Sequence, residues 1–257
     1  MRSSKTDTKT NGSLWNLLAD RFNTFKLKKC IHPDAAVNIE VGWPILLSVI
    51  EKYKEENKKR SLNVFDFGCG VGEFCRTLAD KGYNTVGMDH SAGMLELAKS
   101  KVGKGVKLIH ANHRHEVFND FEMSKKFDVV TGIHSIEWID DVEVAFLNIA
   151  KTLVDDGLLI FAVFPKEHVV DSLRIKDLFE DFDSKEDPYF GYANFDGVRV
   201  PVWVRSSKTY DEILEPMGFE KILDIMPEYP ADFFKKYKWT GSKYPEMNIL
   251  AYKKRKS

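Results

Sequence analysis

Residues 63–74 read NVFDFGCGVGEF, and the fold follows from them. An apolar pair, Val64-Phe65, runs into an acid, Asp66. Glycines follow at Gly68, Gly70 and Gly72, and then a helical pattern, FCRTLADKG. A strand that stops at an acid and turns through glycines into a helix builds a pocket. Glycine lets the backbone approach a ligand closely, and the helix N-terminus offers free N–H groups. A second apolar run, NTVGMD, ends in Asp89, 23 residues after Asp66. That spacing suits one βαβ step, with the second acid placed for ribose hydroxyls.

The glycine pattern separates the nucleotide ligands. A dinucleotide fingerprint needs G-x-G-x-x-G, whose third glycine lets helix and strand pack. Here Glu73 stands third after Gly70, a poor neighbour for a pyrophosphate. The pattern is D-x-G-x-G-x-G, and a carboxylate ahead of the first glycine repels phosphate and suits an ammonium group. The expected ligand is an adenosine derivative with an amino-acid end, not NAD or ATP.

At this point the chain resembles the class I S-adenosylmethionine-dependent methyltransferases, closely over residues 60–165 and more loosely over 200–253. DFGCGVGEF looks like the family's first motif, and VGMDHSAGMLELAK resembles its second-strand segment, with Asp89 in the ribose position. VKLIHAN (106–112) resembles strand three and its adenine loop, with Asn112 where the family often has an acid. An amide carries an acceptor as well as donors and can still meet the adenine amino group. FDVVTGIHSIEWIDD (127–141) resembles strand four and the loop under the transferring methyl, and DDGLLIFAVF (155–164) resembles strand five. The resemblance implies a doubly wound, mostly parallel seven-stranded sheet of the Rossmann-like methyltransferase type. It implies S-adenosylmethionine as cofactor, with S-adenosylhomocysteine as product. Asp66, Gly68, Cys69 and Gly70 would hold its amino-acid end. Asp89 would take the ribose and Asn112 with His113 would face the adenine; His90 and Met94 would also bind the cofactor, and Ile133 would lie in the transfer region.

The rest of the chain fits one α/β domain. At 257 residues and 43% apolar content it can bury a real core. The longest apolar runs, such as LLIFAVF, have the length of buried parallel strands. Strands are expected near 62–67, 84–88, 106–109, 127–132 and 157–164, with helices near 72–81, 92–101 and 141–153. After a helix at 209–219, two strands at 220–226 and 247–253 are expected to form an antiparallel edge. Residues 1–13 are polar, lack a hydrophobic signal region, and are expected to be a disordered tail. Residues 14–60 form an N-terminal helical cap, with one amphipathic helix from Leu14 to about Lys29 and another from Pro44 to about Lys59. The domain proper covers 61–257. Its stretch 165–205, rich in aromatics, glycine and proline, begins at the carboxyl end of strand five and is read as a substrate lid.

Composition narrows the partners. A net charge of −1 argues against a general nucleic-acid binder. The basic segments KLKK (26–29) and KKRK (253–256) are local and read as solvated ends. Cys30, Cys69 and Cys75 form neither zinc spacing nor a disulfide framework, which suits a reducing cytoplasm. His110, His113 and His115 lack the companions of a metal site, so no metal is expected. No membrane association is expected, and the chain would act as a monomer or homodimer.

Methyl transfer from a sulfonium is an in-line displacement, driven largely by positioning and exclusion of water. A neutral hydroxyl or activated carbon gains from a base. His134 is the first candidate for a base or substrate contact, since histidine titrates near neutral pH, with a structural role as the alternative. Glu137 is the second candidate. His168, Tyr192 and Trp203 are candidates for the acceptor wall, and so is Trp43, which with Asn38 closes an unusual segment, HPDAAVNIEVGWP (32–44). Arg199 and Arg205 either hold an acid group or are solvated. The leading reading is methylation of a small molecule at O, N or C. The alternatives are methylation of protein or RNA, and a cofactor-binding regulator without catalysis.

Overall fold

The computed structural model describes residues 8–23, 25, 31–115, 118, 123–124, 126–175, 178–238 and 246–256. In chain order the first helices are α1 (Thr8–Leu18), α2 (Pro33–Val37) and α3 (Trp43–Glu56), the last two joined by a π-helical turn, Asn38–Gly42. The alternating core follows: β1 (Asn63–Phe67), α4 (Glu73–Asp80), β2 (Asn84–Asp89), α5 (Ala92–Lys99), β3 (Val106–His110), β4 (Phe127–Ile133), α6 (Val142–Thr152) and β5 (Leu153–Val163). An insertion of α7 (Lys166–Ile175), β6 (Phe179–Asp183), β7 (Tyr189–Phe195) and β8 (Val198–Val204) comes next. The chain closes with α8 (Ser207–Leu214), β9 (Phe219–Ile225), α9 (Phe233–Tyr237) and β10 (Asn248–Lys254).

Seven strands form one sheet in the order β3-β2-β1-β4-β5-β10-β9. The pairs from β3 to β5 are parallel, and β10 runs antiparallel to both β5 and β9. Each face is buried, so the strands read as continuous apolar runs. In β5 the period of two is visible within such a run. Leu158, Ile160 and Ala162 join the layer of α3 and α4. Leu159, Phe161 and Val163 join the opposite layer with α6 and α8. The order reverses between β1 and β4, which opens a crevice at their carboxyl ends.

Local chemistry sets the helix starts. The Ser91 hydroxyl accepts the Met94 N–H at 3.1 Å, and Asp141 Oδ1 accepts the Val144 N–H at 3.3 Å. In the π turn the Trp43 N–H reaches the Asn38 carbonyl, five residues back. Pro44 has no N–H to return to the preceding turn, and one extra residue is accommodated there.

The insertion is a three-stranded antiparallel sheet, β6-β7-β8, rather than an irregular loop. Its inner residues Ala193, Phe195, Val200, Val202 and Val204 make a third core with Trp138, Phe164, Val169 and Leu18 of α1. Here the structure corrects two expectations. The helix expected over 14–29 ends at Leu18, and it starts at Thr8, inside the stretch expected to be a tail. The remaining tail residues 1–7, Cys30 and the KLKK segment lie outside the described residues. Of the N-terminal helices, α3 packs on the sheet, whereas α1 packs on the insertion and on α5.

Candidate active site

Strand register brings the two acids to one crevice. Phe67 of β1 lies level with Met88 of β2, so Asp66 and Asp89 end neighbouring strands. Asp66 is 3% exposed, with Oδ1 accepting from the Thr131 hydroxyl at 2.7 Å and Oδ2 from the Cys75 thiol at 3.3 Å. Burial pushes its carboxyl up to about 6, against those two hydrogen bonds. A cationic group arriving beside it would favour the carboxylate.

Asp89 is tied to the glycine loop. Its Oδ2 accepts the Gly70 N–H at 2.8 Å, and its Oδ1 accepts the Ser91 N–H at 2.8 Å. Each oxygen keeps a second lone pair for a hydroxyl donor. Gly70 has φ of 55°, and a Cβ built on it would meet nothing within 4 Å, so the loop leaves a cradle on that side. Gly68, at φ 75°, is required for a different reason: its Cβ would collide with Ser135. Among the described residues, no side chain caps the N-terminus of α4. A buried acid, an open glycine turn and a second acid with spare lone pairs fit a nucleoside with a zwitterionic tail.

His90, Met94, Asn112 and His113 all line the same cavity. Asn112 Oδ1 already accepts the Arg114 N–H at 2.8 Å, so the acceptor expected to face the ligand is partly spent in a local turn. Its amide donors remain. Burial lowers the His113 imidazole to about 4, helped by Arg114, so the ring is neutral at pH 7. Its Nε2 is buried with no hydrogen-bond partner among the described residues. His110 instead contacts the His90 carbonyl at 3.2 Å, and no metal-like group of three ligands occurs among the described residues.

At the end of β4, Ile133 and His134 line the cavity. His134 has φ of 46°, an uncommon conformation for a residue with a side chain. Its N–H is held by the Ala162 carbonyl at 2.9 Å, and its own carbonyl accepts the Trp138 indole N–H at 2.5 Å. The ring lies 4.6 Å from Phe164. Its Nδ1 meets Glu137 Oε1 at 2.6 Å, and Glu137 is 1% exposed, behind the histidine rather than on the cavity wall. A carboxylate at Nδ1 selects the tautomer that carries its proton there and leaves Nε2 to accept one.

The cavity, about 590 Å³ in all, is also lined by Trp43, Tyr192 and Trp203, together with Phe164, Phe195 and Pro201. Leu14, Trp15 and Phe22 close it from the N-terminal segment. Trp15 packs edge-on against Trp138 at 5.0 Å, and Asn16 Oδ1 accepts both the Ser91 hydroxyl and the Gly93 N–H at 2.8 Å. This roof escaped the sequence reading. Its signal was the Leu14-Trp15 pair on a helix otherwise read as packing.

Of three other candidates, His168 and Arg205 are corrected. His168 is neither on the cavity wall nor in a solvated loop. It is fully buried on α7, stacked at 6.0 Å on Phe164, with Nε2 4.0 Å from Glu246. Arg199 lines the cavity but lies over the Tyr192 ring and pairs with Glu180 and Asp181. Arg205 is buried and donates to backbone carbonyls instead of holding an acid.

Residues 45–223 match the family model for a methyltransferase domain. A ubiquinone biosynthesis O-methyltransferase of Rickettsia canadensis is 26% identical over 155 residues, 60% of this chain and 59% of that protein. The chain spans less than two thirds of the length of the curated relatives it matches. An S-adenosylmethionine-dependent methyltransferase from Mesorhizobium loti has a TM-score of 0.57 at 16% identity, covering 76% of this chain and 91% of that one. A magnesium protoporphyrin IX methyltransferase from Synechocystis, with bound S-adenosylhomocysteine, has a TM-score of 0.56 at 18% identity over 82% of each chain. The likeness to these two structures is one of fold. Among the described residues, no helix is long and apolar enough to cross a membrane.

Proposed function

The chain belongs to the class I S-adenosylmethionine-dependent methyltransferase family, and on that premise we propose that it methylates a small molecule, with His134 as proton acceptor and Glu137 as its orienting carboxylate. One observation carries the reading: a single cavity runs from Asp66 and Asp89 to His134 beneath a roof and aromatic walls. When bound, the cofactor supplies a sulfonium methyl group open to nucleophilic attack.

Asp66 would face the cofactor's ammonium group, Asp89 its ribose, and Asn112 with His113 its adenine. Each assignment follows the donor or acceptor that the residue leaves available. The aromatic wall of Trp43, Phe164, Tyr192 and Trp203 excludes water and offers ring faces to a cation. The Nε2 of His134 would take a proton from the acceptor as the nucleophile forms, and Glu137 would hold the resulting imidazolium. A hydroxyl acceptor makes the fullest use of that pair. Catalysis by positioning alone would leave unexplained a buried carboxylate at 2.6 Å from a histidine on the cavity wall.

The roof formed by α1 and the insertion favours a small acceptor over an RNA or protein segment. The related Rickettsia canadensis protein, named for ubiquinone biosynthesis, is an O-methyltransferase, which makes hydroxylated aromatic compounds the first to try. The test is a metabolite screen read by S-adenosylhomocysteine release. Turnover on a hydroxylated small molecule, lost in His134→Gln, is expected. Turnover only on bulk RNA or protein would overturn the reading.

A further inference from the structure

Arg205 stands where the insertion meets the loop that carries His134. It follows β8 directly and is 4% exposed. Its Nη2 donates to the carbonyls of Ile139 at 2.8 Å and Asp140 at 3.1 Å. Its Nη1 makes a longer bond of 3.4 Å to the Trp203 carbonyl. The first two carbonyls come immediately after the tight turn Ile136–Trp138, whose Glu137 grips His134. Nη2 alone braces both loop carbonyls while Nη1 turns back to β8, so one planar guanidinium spans the end of β8 and the loop.

Tyr210 of α8 is fully buried, and burial raises its hydroxyl, with Arg205 opposing the rise and Glu137 adding to it. Glu137 Oε2 meets no hydrogen-bond donor among the described residues. A carboxylate that deep without a neighbouring positive charge is strongly unfavourable.

We propose that Arg205 is a positioning residue for the His134–Glu137 pair: it fixes the turn that carries Glu137 and sets a positive charge near it. The proposal rests on the reading of that pair given above. Its consequence is that the pair is aligned only while the insertion is seated on the loop. Because β8 also supplies Pro201 and Trp203 to the acceptor wall, substrate binding by the insertion and alignment of the base are joined through one side chain.

The test is proton NMR on the full chain, ¹⁵N-labelled at histidine, with S-adenosylhomocysteine bound. A short bond to a carboxylate places the His134 Nδ1 proton far downfield, and His134→Gln assigns the signal by removing it. Arg205→Met is expected to lose that signal, with affinity for S-adenosylhomocysteine kept within about twofold. Arg205→Lys, which keeps the charge and part of the bonding, is expected to retain it at a shifted position. A signal unchanged in Arg205→Met overturns the proposal. Should Arg205→Met fail to bind S-adenosylhomocysteine, Arg205→Lys decides: a shifted signal supports the proposal, and an unchanged one overturns it. A wild-type protein without the signal removes the His134–Glu137 pair itself, and the proposal with it.

Discussion

The Gly70 N–H donates to Asp89 Oδ2 at 2.8 Å, so the glycine turn and the acid at the tip of β2 are one unit. The other oxygen of Asp89 holds the Ser91 N–H, and Ser91 in turn caps α5 and meets Asn16 of α1. A single carboxylate therefore sets the turn, the start of a helix and, through Ser91, the seat of the roof. A ligand that uses its spare lone pairs meets a site already assembled, which lowers the ordering cost of binding.

Removing the base should separate turnover from binding. His134→Gln and Glu137→Gln are each expected to lower kcat by about 10²–10⁴-fold on a hydroxyl acceptor. For Glu137→Gln, affinity for S-adenosylhomocysteine should change little, since Glu137 is off the cavity wall. Steady-state kinetics beside calorimetry measure both. Equal losses of binding and turnover would assign the pair a structural role.

Asp66 links stability to function through its burial. Its folded carboxyl titrates near 6, above the ordinary 3.8. A group raised in this way contributes stability that is present below about pH 4 and lost as pH rises through about 6. Asp66→Asn removes that loss. The unliganded variant should be more stable than wild type at pH 8, by up to about 3 kcal/mol, with no such gain at pH 4. Its affinity for the cofactor should fall at the same time. Thermal melts at the two pH values measure the first effect, and a variant less stable at both would contradict it.

The roof should control escape of the cofactor. Asn16→Ala removes the acceptor for two hydrogen bonds that tie α1 to Ser91 and Gly93. A loss of about 1–2 kcal/mol in that docking corresponds to about 5–30-fold faster release of S-adenosylhomocysteine. Stopped-flow displacement measures it. An unchanged rate would mean that α1 opens without breaking this contact.

Much of this was legible in the chain because it is local. The run from Asp66 to Asp89 carries its own strand, turn and helix signals, and the structure repeats them almost residue for residue. What misled were features decided by distant partners. The amphipathic period of α1 continues past Leu18, yet Arg21 leaves the helix to pair with Asp196 and Phe22 to meet Phe195 at 5.3 Å. His168 falls where a loop seemed natural, but the apolar layer of Phe164 and Phe179 draws it inside a helix. Arg205 read as holding an acid group or solvated because its partners are two backbone carbonyls 65 and 66 residues away, and carbonyls leave no mark in a sequence.

The most direct test of the cofactor site is titration calorimetry of S-adenosylhomocysteine into the wild-type protein and Asp89→Ala. Loss of charge-assisted hydrogen bonds to ribose, together with a loosened Gly70 turn, should weaken binding by at least about 100-fold. One-to-one binding to the wild type and near-absence of binding to the variant is the result expected. A wild type that does not bind, or a variant that binds equally well, would contradict the assignment of this crevice to the cofactor.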